Sequence, residues 1–218
     1  MAELSIQEHK YWAKGDEAPK SLVIMLHGLG ADGKDLIGLA HYFAQSLPDT
    51  AFVSPDAPFP CDMAPMGHQW FSLQDRTPEA MLRGASHAAG IVDAYIDAKM
   101  KEYNLPANKI ALLGFSQGTM MSLYVAPRRE EQLAGVLGYS GALLGAELLE
   151  SEVKSKPPVH LIHGTEDDVV PFAVMEPAAK ILSGQGFNVD ATPCEGTGHG
   201  IDEKGVMEGQ KFLLKHLK

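Results

Sequence analysis

The sequence predicts an α/β fold built on a mostly parallel sheet with helices on both faces. Short apolar runs alternate along the chain with longer stretches of helical periodicity, the order that βαβ units produce. Several of these runs are apolar throughout rather than at every second residue, which marks strands buried on both faces. No repeat, linker-like stretch or low-complexity tract interrupts the 218 residues, so residues 1–218 are expected to form one domain.

Each element has its own local reason. Ser21–His27 is an apolar run closed by Gly28 and reads as a buried strand. Leu36, Leu39, Ala40, Phe43, Ala44 and Leu47 recur at helical spacing and predict an amphipathic helix stopped by Pro48. Ala51–Ser54 is the next strand, ended by Pro55. Thr77-Pro78 has the form of a cap followed by proline in the first turn. Met81, Ala85, Ala88, Val92 and Ile96 then mark a long helix to about Tyr103. Lys109–Gly114 is a strand, Gln117–Ala126 a helix ended by Pro127, and Leu133–Tyr139 and Val159–His163 are strands. Met175–Leu182 is helical, Phe187–Thr192 extended, and Gly205–Leu217 helical through Val206, Leu213, Leu214 and Leu217. Two connections are long. Ala57–Arg76 has no clear periodicity, and Ser140–Pro158 holds at most one short helix around Gly145–Val153.

Charge and composition narrow the function classes. Eighteen basic against 28 acidic residues leave a net charge of −10, which cannot replace counterions along nucleic acid or attract an anionic membrane. No apolar run approaches the roughly 20 residues of a membrane span, so no stable membrane insertion is expected. Met1–Lys10 lacks the basic and apolar regions of an export signal, and the cytoplasm is the expected compartment. Cys61 and Cys194 lie far apart, form no metal-ligand spacing and are expected to be free thiols. No residue cluster calls for a metal or organic cofactor.

The chemistry is carried by order. Gly114-Phe115-Ser116-Gln117-Gly118 is a G-x-S-x-G pattern between an expected strand and an expected helix. Such a turn raises a serine hydroxyl above the sheet edge, glycines clear the space, and the helix N-terminus supplies N–H groups for a developing oxyanion. Without that context an incidental Gly-Ser turn would explain the motif equally well. Glu166, Asp167 and Asp168 follow the strand that ends at His163, and spacing alone does not choose among these acids. Gly196-Thr197-Gly198-His199-Gly200 follows the next strand, and a histidine between glycines suits a base better than core packing. His27-Gly28-Leu29-Gly30 closes the first buried strand. Of the other histidines, His27 and His163 are expected to be structural, and His9, His41, His87 and His216 exposed. His68 lies on the long loop.

Together these residues resemble the small carboxylesterase and acyl-protein thioesterase branch of the α/β-hydrolases. The matching motifs are H-G-L-G-A-D-G at 27–33, P-D-A-P at 55–58, Gln69-Trp70-Phe71, G-F-S-Q-G at 114–118, G-Y-S-G at 138–141, H-G-T-E-D-D-V-V-P at 163–171 and Gly198-His199. The resemblance implies an α/β-hydrolase fold without a separate lid domain. It implies Ser116 as nucleophile, Asp167 as the acid orienting the base, His199 as general base, and the backbone N–H groups of Leu29 and Gln117 as oxyanion donors. It departs at Ser72, where similar proteins often carry aspartate, and over Phe59–Leu73, a longer segment. Both differences fall where the acyl group would bind, and there Phe59, Met63, Met66, Trp70 and Phe71 are candidates for an apolar lip.

The expected activity is hydrolysis of short- to medium-chain carboxylic esters through an acyl-enzyme, by a monomer or homodimer acting on a small acyl ester or thioester. The nearest rival is a thioesterase or lysophospholipase acting on long acyl chains. A rival of another class is a binding protein that has kept the fold and lost the chemistry.

Overall fold

The computed structural model describes residues 6–15 and 17–218. In chain order the strands are β1 (Glu8–Tyr11), β2 (Ser21–Leu26), β3 (Thr50–Pro55), β4 (Phe59–Pro60), β5 (His68–Gln69), β6 (Ile110–Phe115), β7 (Gly135–Tyr139), β8 (Val159–Gly164) and β9 (Val189–Cys194). The helices are α1 (Gly33–Leu36), α2 (Ala40–Ala44), α3 (Pro78–Tyr103), α4 (Gln117–Val125), α5 (Leu149–Glu152), α6 (Met175–Gly184) and α7 (Glu203–Leu217). Seven strands form one sheet in the order β1-β3-β2-β6-β7-β8-β9. All neighbours are parallel except β1, which runs antiparallel to β3. That is the mostly parallel α/β sheet expected from the alternation of elements.

Two apolar layers enclose the sheet. On one face α3, α4 and α6 cover Leu22, Ile24, Leu112 and Val136, and on the other α2 and α7 cover Val23, Met25, Leu113 and Leu137. Every residue of β2, β3, β7 and β8 is buried, which is why these strands read as continuous apolar runs. Helix α4 is buried along its whole length and shows no polar stripe. Thr77 caps α3 by accepting from the Ala80 N–H, with Pro78 in the first turn, and the helix ends where Asn104 turns left-handed at φ 50°.

Three local expectations change. The helix predicted over 36–47 is broken: α1 passes into a 3-10 turn at Ile37–Leu39 and then α2, although Leu36, Ala40, Phe43, Ala44 and Leu47 are all buried as its periodicity required. Gly38, a poor helix former, sits in the break. Strand β1 was unmarked in the sequence because its E-H-K-Y composition is polar; it lies at the sheet edge, where charge is tolerated. The long loop after β3 holds the antiparallel pair β4–β5 rather than being irregular throughout.

Candidate active site

β2 lies centrally, and the chain leaves it for β3 on one side while β6 flanks the other. Above the carboxyl ends of β2 and β6 the connections diverge, to β3 and to β7, which is the position where open α/β sheets place their ligands. The loops after β2, β6, β8 and β9 all meet at this edge.

Ser116 stands between β6 and α4 with φ 53° and ψ −115°, a strained conformation for a residue with a side chain. It is held there by its own backbone: its N–H donates to the Tyr139 carbonyl at 2.9 Å, and its carbonyl accepts from the Thr119 N–H at 3.0 Å. Gly118 is required at this turn, because a Cβ there would run into the Leu26 carbonyl. A Cβ built on Gly28 would lie 3.3 Å from that of Ser116, so the His27–Gly30 loop comes directly alongside the serine. Among the described residues the backbone N–H groups of Leu29 and Gln117 have no protein acceptor.

Asp167 and His199 are joined. His199 Nδ1–H donates to Asp167 Oδ2 at 2.8 Å, and the carboxylate is fully enclosed. Its Oδ1 accepts from the Val169 and Val170 N–H groups, each at 2.9 Å, and His163 Nε2 approaches Oδ2 to 3.2 Å while lying 2.8 Å from the Val170 carbonyl. Burial pushes the Asp167 pKa up, but the bonds from His199, Val170 and Val169 outweigh it and hold the carboxyl below its ordinary range. Asp168 and Glu166 are exposed.

The segment bearing His199 is fixed from both sides. Thr197 accepts at its carbonyl from the Glu166 N–H, and its hydroxyl donates to Asp202, the capping residue of α7. The His199 ring packs against Phe115 with centroids 5.0 Å apart, which brings it over the Ser116 turn. No hydrogen bond joins the Ser116 hydroxyl to the imidazole among the described residues; in catalytic pairs that contact often tightens only on substrate binding. No group of three or more His, Cys, Asp or Glu side chains among the described residues is placed to hold a metal.

A family model described as phospholipase/carboxylesterase matches residues 8–217. The chain belongs to the phospholipase/carboxylesterase family. Esterase YpfH of Escherichia coli (strain K12) is 29% identical to it over 206 residues, 93% of this chain and 84% of that protein. Acyl-protein thioesterase 1 of Schizosaccharomyces pombe is 30% identical over 205 residues, 89% of this chain and 90% of that protein. The crystal structure of esterase PE8 superposes with a TM-score of 0.93 at 39% identity, over 97% of this chain and 99% of that one. At the level of the family this chain is a hydrolase of carboxylic esters on an α/β-hydrolase fold.

In this chain the loop after β3 is stitched to the candidate site. The Gly30 N–H donates to the His68 carbonyl and the His68 N–H to the Ala31 carbonyl, each at 2.8 Å. The Trp70 indole N–H donates to the His27 carbonyl at 2.9 Å. His27 itself is structural: its Nδ1–H donates to the Gly28 carbonyl and its Nε2 accepts from the Ala57 N–H, with burial holding its pKa down.

The five residues read from the sequence as an apolar lip are separated by the fold. Trp70 and Phe71 are only 1% and 3% exposed and pack into the core, because their backbone is drawn against α4. Phe59 is half-buried and stacks on His87 of α3. Met63 and Met66 stand out at 47% and 80% exposure, the two of the set that face solvent. Ser72 is exposed, its hydroxyl accepts from the Gln74 N–H, and its presence beside Asp62 helps hold that carboxylate below its usual range. Sequence reasoning missed the Gln117 side chain. Its Oε1 accepts from the Trp70 N–H at 2.9 Å and its Nε2 donates to the Phe71 carbonyl at 2.8 Å. No local spacing announces such a bond between positions 117 and 70–71. It also left His163 without its part beside Asp167, although the i, i+4 spacing of the two was there to be read.

Among the described residues, no helix is long and apolar enough to cross a membrane.

Proposed function

We propose that Ser116, His199 and Asp167 act as the triad of a serine esterase for short- to medium-chain acyl esters. In this reading His199 takes the Ser116 proton as the hydroxyl attacks the ester carbonyl, and the N–H groups of Leu29 and Gln117 stabilise the oxyanion. Protonated His199 gives its proton to the departing alcohol, leaving an acyl-serine. Water then attacks that acyl group with its proton passing to His199, and release of the acid restores the serine. The chain is read as one domain devoted to this chemistry, with no cofactor.

The observation that carries the reading is the Asp167–His199 pair. With Nδ1–H committed to the carboxylate, the neutral imidazole keeps its Nε2 lone pair for the serine proton, the tautomer a base at this position needs. The strained Ser116 turn and its neighbours at Leu29 and Gln117 support the rest. Ser116→Ala is expected to lower hydrolysis of p-nitrophenyl butyrate by roughly 10³-fold or more. Wild type should also be captured at Ser116 by a fluorophosphonate probe. Undiminished turnover in the mutant would refute the triad.

Thioester cleavage on long chains is the second reading, favoured by the match to a relative named acyl-protein thioesterase 1. A profile of acyl esters from acetate to palmitate, run beside a palmitoyl thioester, separates the two.

A further inference from the structure

Gln117 has two hydrogen-bonding parts with separate tasks. Its backbone N–H, in the reading above on which this inference rests, serves the oxyanion. Its side chain does something else. The carboxamide is completely buried and grips both polar groups of one backbone segment, the Trp70 N–H and the Phe71 carbonyl. Trp70 is at the same time bound through its indole to the carbonyl of His27, two residues before Leu29. One loop residue is therefore tied to both chain segments that carry the proposed oxyanion donors.

We propose that the Gln117 carboxamide is a positioning group that couples the loop at residues 57–76 to the oxyanion donors, so that acyl selection by the loop reaches the chemical step. The amide suits the task because it presents one acceptor and one donor in a plane, matching an N–H and a carbonyl on neighbouring residues. A leucine of similar size would leave both backbone groups buried without partners. A glutamate fits only when protonated, since a carboxylate accepts from Trp70 but repels the Phe71 carbonyl. Burial raises the pKa of such a carboxyl, so its matching form is reached as the pH falls.

The test compares Gln117→Leu and Gln117→Glu with wild type on p-nitrophenyl esters from acetate to laurate, between about pH 5.5 and 8.5. For Gln117→Leu the preferred ester should lose about tenfold in kcat, and the preference among chain lengths should flatten. For Gln117→Glu, activity relative to wild type should climb as the pH falls. His27 against Trp70 and His199 over the serine turn are present in both proteins, so a pH dependence of the ratio reports the introduced carboxyl, directly or through its charge on them. A side chain that only supported folding would reduce the active fraction and scale all chain lengths alike. An unchanged chain-length profile in Gln117→Leu, or a flat ratio across pH in Gln117→Glu, would overturn the proposal. Fluorophosphonate labelling of Ser116 in the same variants keeps the two ideas apart. Labelling with an unaltered profile sinks the coupling alone, whereas undiminished hydrolysis by Ser116→Ala sinks the triad.

Discussion

Asp167 shows how much one carboxylate is asked to do. Two backbone N–H groups saturate Oδ1, while Oδ2 faces the two histidines, so an amide in its place would turn an NH2 group toward one set of donors. Asp167→Asn is therefore expected to fold and to lose roughly 10⁴-fold in kcat, because His199 would be left in the wrong tautomer. Ester turnover beside a melting curve checks both halves. The lowered pKa also has a stability consequence. The folded form holds fewer protons than the unfolded chain, so Asp167 contributes fully above the ordinary carboxylate pKa and its contribution is lost as the pH falls through the lower, folded value. Cys194 behaves in the opposite sense. Burial and the neighbouring Asp202 carboxylate push its pKa up to about 11, leaving an inert thiol. Alkylation by iodoacetamide near pH 8 should spare Cys194 in the native protein and modify it after unfolding, as mass spectrometry would report; rapid native labelling would contradict its burial and raised pKa. The Ser116 turn and the Asp167 and His199 loops that meet beside it were legible as a cluster in the sequence, because each follows a strand and carries a restricted residue type. The carboxamide of Gln117 was not, because its partners are backbone atoms, which carry no identity.

Among the elements, β1 depends on side chains more than on a core. Glu8 accepts from Lys99, Lys10 and the Tyr95 hydroxyl, and Lys10 also reaches Glu102, so a charged network fastens the edge strand to α3. Lys99 is nearly enclosed, at 6% exposure. Lys99→Met should cost about 2 kcal/mol, by leaving the partly buried Glu8 short of its partner. In a chain of this size that corresponds to a fall in Tm of roughly 4–8 °C, read by calorimetry with ester turnover at low temperature unchanged. A fall of less than a degree would mean that β1 is held by its ladder bonds to β3 alone. The same network explains why this strand was hidden: its pairing logic lies about ninety residues away on α3, whereas the central strands declare themselves by local apolar composition. The broken helix after β2 teaches a related lesson, since apolar spacing specified which residues are buried there but not whether one continuous helix buries them.

At the scale of the molecule, the order of strands could not be read from spacing. The alternation of runs implies parallel pairing, yet nothing local says that β2 will sit between β3 and β6. That placement creates the site, by setting the His27–Gly30 loop against the Ser116 turn. It also has a consequence during synthesis. β2 ends at Leu26 and its second neighbour begins at Ile110, 84 positions later. At roughly 5–20 residues per second, a ribosome takes several seconds to make that interval. Through it, one edge of an entirely apolar strand waits without its partner, the kind of segment that aggregates or engages a chaperone. A chain halted after Tyr103 is expected to bind a hydrophobic dye strongly and to precipitate, with the full chain as the soluble reference; a soluble, dye-silent fragment would contradict this. The central position of β2 thus sets the His27–Gly30 loop beside Ser116 in the folded enzyme and gives the nascent chain its most exposed moment.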